Sequence, residues 1–187
     1  MGSLAHRFDA APANVDEFLR LYEGVEGRFE FVDGRVVDMG RTTLAHGLIV
    51  AALLLALRSR LPHDLQVVPA SVAVVPDEDT ARLPDLLVVP RGHAPGALKV
   101  DDPVLLGEVL STSTTHVDFG AKTTEYHSLP TVMHYLIASQ DGVNAWLWTR
   151  GDDGAWPEEP ILLGADDEVD LTALGVRFAM SELSETL

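Results

Sequence analysis

Two carboxylates stand where the local sequence makes a charge costly. Asp85 follows Pro84 at the head of the apolar run Asp85 to Val89, and Glu108 lies inside the next one, Pro103 to Leu110, which reads PVLLGEVL. If these runs are neighbouring strands, the two acids converge at one edge of a sheet. Paired carboxylates, with water completing the shell, are what a hard cation such as Mg²⁺ or Mn²⁺ takes as ligands. A charge inside so apolar a run is unfavourable unless a partner or a metal compensates it. The plainer alternative has Glu108 facing solvent at a strand end and Asp85 capping a turn after the proline.

Lys122 lies one helical turn beyond Asp118. That spacing by itself favours an i, i+4 Asp–Lys pair on a solvated helix face. If the helix packs back over the sheet instead, the ammonium can reach the carboxylates and stabilise a phosphorane-like transition state. Glu30, flanked by Phe29 and Phe31, must point to the opposite face of its strand from both. It is either solvent-facing or a third acid over the site. The seven histidines show no HExxH spacing. His46 and His116 stand at helix starts, where either could lie near a site. Ser111 to Thr115 form a hydroxyl-rich stretch that most simply serves as a cap and turn. No nucleophile elbow, P-loop or dinucleotide-binding glycine pattern occurs.

The elements that would position these residues follow from pattern. Asn14, with Glu17 three residues on, predicts a helix through about Tyr22. Asp33-Gly34 between two alternating runs, Arg28 to Val32 and Arg35 to Met39, predicts a hairpin. Thr43 to about Leu61 reads as a helix apolar on most sides, hence well buried, and stopped by Pro62. Leu65 to Val75 reads as one strand, Asp85 to Val89 and Pro103 to Leu110 as two more, with Pro90 to Asp102 a loop. Thr115 to Asp118 reads as a capping box opening a helix through about His127. Val132 to Ala138 and Val143 to Thr149 read as strands joined at Asp141-Gly142, and a strand near Ile161 to Leu163 precedes a short tail. The order predicts an α/β (α+β mixed) protein: a mixed β-sheet flanked by helices.

The chain's 187 residues suit one domain, 1-187, with residues 1-13 expected as a flexible N-terminal segment. With 47% hydrophobic and 22% charged residues, the composition is that of a globular protein. The absence of cysteine removes disulfides, thiolate metal sites and cysteine nucleophiles. The apolar stretch Leu48 to Leu57 is too short to span a bilayer, and no secretory signal pattern opens the chain. A cytoplasmic protein without membrane association is expected. Thirteen basic against 29 acidic residues give a net charge of −16 with no basic run. This disfavours nucleic acid as a partner, because duplex binding relies on clustered Lys and Arg. Apolar strands near the C-terminus could pair across a homodimer, though nothing in the sequence requires it.

Four segments occur in suitable order: Phe29 to Val37 (FEFVDGRVV), Leu83 to Val89 (LPDLLVV), Glu108 to Thr114 (EVLSTST), and a helix bearing Lys122 and Tyr126. Together they resemble the Uma2 family (DUF820) from about Val15 to Val176. That family is similar to the PD-(D/E)xK restriction-endonuclease-like superfamily. The resemblance implies a restriction-endonuclease-like core with Asp85 and Glu108 as metal ligands. It also implies Lys122 as the catalytic lysine displaced onto a helix, and Glu30 as an additional acid. The departure is Leu110, which stands where the superfamily's lysine usually follows its acid.

Three functions compete at this level. The first is a Mg²⁺-dependent endonuclease, the second a catalytically inactive nuclease-fold interaction module. The third is a metal-dependent hydrolase of a small phosphorylated substrate, which needs no basic groove.

Overall fold

The computed structural model describes residues 11–110 and 115–184. The chain opens with α1 (Val15–Tyr22), whose N-cap Asn14 accepts a hydrogen bond from the Glu17 amide. Glu17 reaches back to the Ala13 amide at 2.7 Å, so the first turn is tied from both sides. Strands β1 (Phe29–Val32) and β2 (Arg35–Asp38) form the predicted hairpin. Its turn puts both Asp33 (φ 49°) and Gly34 (φ 72°) in the left-handed region, the conformation a tight twisted turn needs.

Helix α2 (Leu44–Arg58) starts at its N-cap Thr43 as expected but ends four residues before Pro62. The Ser59 hydroxyl and the Arg60 guanidinium both donate to the Ala56 carbonyl and close its last turn. It is not buried all round: Leu44 and Leu55 are 80% and 69% exposed.

The stretch read as one strand, Leu65 to Val75, is two. Strand β3 (Leu65–Pro69) ends at a proline that cannot continue the ladder, and the chain then crosses to a different sheet as β4 (Val74–Asp77). A further strand, β5 (Thr80–Arg82), follows before β6 (Leu86–Pro90) and β7 (Leu105–Val109).

The helix expected from Thr115 to His127 is broken as well. Helix α3 (Thr115–Asp118) stops and α4 (Ala121–Ser128) begins after Gly120, whose φ of −111° and ψ of −98° lie outside the helical region. Among the described residues the Asp118 carboxylate makes no capping hydrogen bond. Strands β8 (His134–Ala138), β9 (Ala145–Thr149) and β10 (Ile161–Leu163) follow as expected.

The expected tail is instead a hairpin of β11 (Glu168–Leu171) and β12 (Val176–Ala179), followed by α5 (Ser181–Ser184). Val169, Leu171, Val176 and Phe178 bury themselves in the chain's own core.

Among the described residues the main sheet runs β10-β9-β8-β7-β6-β3, with only β7 and β8 parallel. It is a mixed sheet with helices on both faces. Alternation along β6 and β7 sorts the core. Leu86, Val88, Leu105 and Val109 pack with α2 and the C-terminal hairpin, while Leu87, Val89 and Leu106 pack with Tyr126 of α4. Gly107 lets β6 and β7 close up, since a Cβ there would sit 2.8 Å from a Leu86 methyl. A second sheet, β2-β1-β5-β4, holds α1 through Phe18 stacked on Phe31. No helix is long and apolar enough to cross a membrane among the described residues.

Candidate active site

Glu108 shares the parity of Leu106, so it leaves β7 on the face covered by α4. There it is 3% exposed and meets two donors from one helix: Lys122 Nζ and Tyr126 Oη each donate to its Oε1 at 2.8 Å. Lys122 and Tyr126 are four residues apart and therefore share a face of α4. The pair Lys122–Asp118 does form, at 3.1 Å, but Lys122 is 2% exposed. The solvated surface pair that spacing favoured is thus a buried one. The ammonium also lies 3.9 Å from Glu30, so three carboxylates surround it.

Glu30 projects from β1 away from Phe29 and Phe31, as strand alternation requires, and it is buried. It accepts from Arg82 Nη1 at 2.9 Å and from the Leu83 amide at 3.1 Å. Arg82 in turn binds both oxygens of Glu125 on α4 at 2.6 Å. The solvent-facing alternative for Glu30 does not hold.

Asp85 sits one residue before β6, also buried, and does more than cap a turn. Its Oδ2 accepts the Val109 amide at 2.8 Å, which pins it beside Glu108. Its Oδ1 takes Arg28 Nη2 at 2.8 Å and lies 3.3 Å from His46 Nε2. Of the two histidines singled out, His46 therefore reaches the cluster from the first turn of α2. For His116 only the backbone, in α3, is described. Ser111 to Thr114 lie outside the described residues.

Charge in this pocket is lopsided. Glu30, Asp85, Glu108, Asp118 and Glu125 face Arg28, Arg82 and Lys122, so acids outnumber permanent cations. Burial, only partly offset by Lys122 and reinforced by Asp85, Asp118 and Glu30, pushes the Glu108 carboxyl up to about 8. Burial also raises Asp85, but His46, Arg28 and the Val109 amide outweigh it and hold that carboxyl below its ordinary value. For Lys122, burial works against the charge, yet Glu108, Glu30 and Asp118 prevail and keep the ammonium protonated.

Asp85 and Glu108 present carboxylate oxygens, the kind of donor a hard cation takes. Among the described residues neither Asp118 oxygen accepts a hydrogen bond, although the Lys122 ammonium lies 3.1 Å from Oδ1, and Asp85 Oδ2 accepts the Val109 amide. No group of three or more His, Asp or Glu side chains suited to a metal ion occurs among the described residues. A cation held by Asp85 and Glu108 would therefore complete its shell with water or substrate, as Mg²⁺ commonly does.

Sequence reasoning missed Arg28, Arg82 and Glu125. Arg82 had one signal, an arginine between two apolar stretches just before Pro84-Asp85, but Thr80–Arg82 is too short to show a period.

The fold has known counterparts. A solved structure from Anabaena variabilis, described as "a putative nuclease belonging to DUF820", superposes with a TM-score of 0.68 over 90% of this chain and 97% of that one, at 12% identity. An uncharacterized protein of Synechocystis sp., slr1290, is 28% identical over 171 residues, covering 88% of this chain and 87% of its own. The sequence model of one family, described as "Putative restriction endonuclease", matches residues 15–181. With that match spanning nearly its whole length, the chain belongs to the Uma2 family.

Proposed function

We propose that this chain is a metal-dependent phosphodiesterase acting on nucleic acid, with Mg²⁺ or Mn²⁺ held by Asp85 and Glu108. The observation that carries this reading is the contact of Lys122 Nζ with Glu108 Oε1 at 2.8 Å beside the pinned Asp85. It supplies acid, acid and lysine in one place although the lysine comes from a helix. A divalent cation there supplies Lewis-acid activation of water and neutralises charge on the scissile phosphate. Lys122, kept protonated by its carboxylates, offsets the charge that builds on the phosphoryl oxygens. Tyr126 and Lys122 hold the Glu108 carboxylate in one rotamer, and the Val109 amide does the same for Asp85. Glu30 holds Arg82 and adds negative potential next to the lysine.

The test is cleavage of single- and double-stranded DNA and RNA with Mg²⁺ or Mn²⁺, alongside calorimetric titration of the two metals. Cleavage that falls at least about 100-fold in Asp85→Asn and Lys122→Met supports the reading, as removal of one electrostatic group from a hydrolytic site typically costs that much. Absence of any metal-dependent cleavage, or a residual activity unchanged in Asp85→Asn, overturns it.

A second reading, a nuclease-fold interaction module that does not cut, is favoured by one observation. The net charge is −16, and Arg28, Arg82 and Lys122 are all engaged inside the site rather than on a groove. Metal binding without cleavage of any of these substrates would select it.

A further inference from the structure

Helix α2 presents an outward apolar stripe of Leu44, Leu48, Ala51 and Leu55. The two outer residues are 80% and 69% exposed, and the inner two are half-buried. The spacing runs four, three, four, which is the seam spacing of paired helices. Among the described residues Leu48 and Ala51 belong to no core cluster, unlike Ile49, Ala52 and Leu53 on the inner side of the helix. Gly47 lies beside it, and a Cβ placed there would meet nothing, so a neighbouring backbone can come close.

The stripe is also symmetric about its own midpoint, between Ile49 and Val50. Reversing the helix direction exchanges Leu44 with Leu55, and Leu48 with Ala51. A two-fold axis through that midpoint, perpendicular to the helix, therefore sets Leu44 of one copy against Leu55 of the other. It sets the large Leu48 against the small Ala51. Such self-complementarity of large against small is what an isologous contact requires.

Charge narrows the choice of occupant further. Apart from His46, which turns inward to Asp85, α2 carries no ionisable residue before Arg58 at its end. Two chains of net charge −16 repel each other, and this face brings no carboxylate of its own into the contact.

We infer that α2 is the interface of a homodimer in which the two helices pack antiparallel, with Leu44 against Leu55 of the second copy. The contact is independent of whether the site cuts nucleic acid. It does set the first-turn residue His46, and with it Asp85, one helix thickness from the two-fold axis.

The test is the molar mass of the full chain by sedimentation at tens of micromolar, with three sets of variants. The wild type is expected at twice the 20.2 kDa of one chain. Leu55→Glu, at an exposed position, is expected at the monomer mass with an unchanged far-ultraviolet circular dichroism spectrum. Ile161→Glu, on the exposed edge strand β10, is expected to remain dimeric. Because the chain holds no cysteine, introduced thiols report geometry directly. The double variant Leu44→Cys/Leu55→Cys is expected to cross-link on mild oxidation, and neither single variant should. A monomeric wild type, a Leu55→Glu dimer, or cross-linking by either single variant overturns the inference.

Discussion

Glu108 is the group whose titration most directly reports the buried acid cluster. Its carboxyl is raised to about 8, against an ordinary 4.5, mainly by burial. A folded state that keeps this proton while the unfolded chain has lost it becomes less stable as pH rises through that interval. The contribution is fully favourable below the unfolded value and is lost on passing about 8. Two histidines act in the opposite sense at lower pH. Burial lowers His127 and His134 to about 4, so their neutral forms add stability only as pH climbs towards their ordinary 6.5. Asp85, held low, matters only in acid.

Histidine in the unfolded chain is still half protonated at pH 6.5, so those groups have nearly finished titrating only above about pH 7, where Glu108 is left as the shifted group still changing charge. The slope starts near 1.4 kcal/mol per pH unit and shrinks as the folded carboxyl itself ionises, which gives a loss of about 1 kcal/mol between pH 7 and 8. For a chain of this size that corresponds to a fall in Tm of about 2–4 °C. The assay is thermal unfolding in chelator across that pH range, for the wild type and for Glu108→Gln. The glutamine keeps an oxygen for Lys122 and Tyr126 but cannot titrate, so its profile should be nearly flat. A flat wild-type profile, or a slope that survives in Glu108→Gln, would refute the reasoning.

Other perturbations separate the supports of the site. Arg82→Met leaves Glu30 and Glu125 buried without their shared cation and should cost about 3–5 kcal/mol in urea unfolding. Arg82→Lys should recover little of this, because one ammonium cannot serve both carboxylates as the guanidinium fork does. Gly107→Ala drives a Cβ to within 2.8 Å of Leu86 and should cost about 1–3 kcal/mol with no change in metal affinity measured by calorimetry. Asn14→Ala removes the cap on α1, far from the acids, and should cost about 1 kcal/mol while leaving the pH profile of the wild type in place.

What was legible in the sequence was whatever local physics decides. Asp33-Gly34 needs left-handed backbone, and Asn14 with Glu17 caps a helix, so both elements appear close to where they were expected. Glu108 stood out because a charge in PVLLGEVL demands compensation, and the compensation is there. Lys122 was not decidable from spacing, since an i, i+4 pair with Asp118 has the same sequence signature on a wet face or a dry one. Only the packing of α4 against β7 makes it dry. Arg82 was invisible because its strand is too short to show a period. The break at Phe119-Gly120 and the crossing after Pro69 hid inside segments whose two halves each obeyed one pattern. The C-terminal hairpin escaped because Val169 with Leu171, and Val176 with Phe178, alternate over only four residues each.

Arg28, Arg82 and Lys122 all turn inward onto carboxylates, and this has a consequence for ionic strength. A protein that meets nucleic acid through surface cations releases counterions on binding, so its affinity falls as salt is added. Here the cations nearest the acids have no counterions to release, and the exterior that a polyanion first encounters is negative. Added salt shortens the range of that repulsion, to about 8–10 Å near physiological strength. Encounter with a strand should therefore quicken rather than slow as salt rises, until screening is complete. The response of cleavage rate to added potassium chloride would thus carry the opposite sign to that of a nuclease with a basic groove.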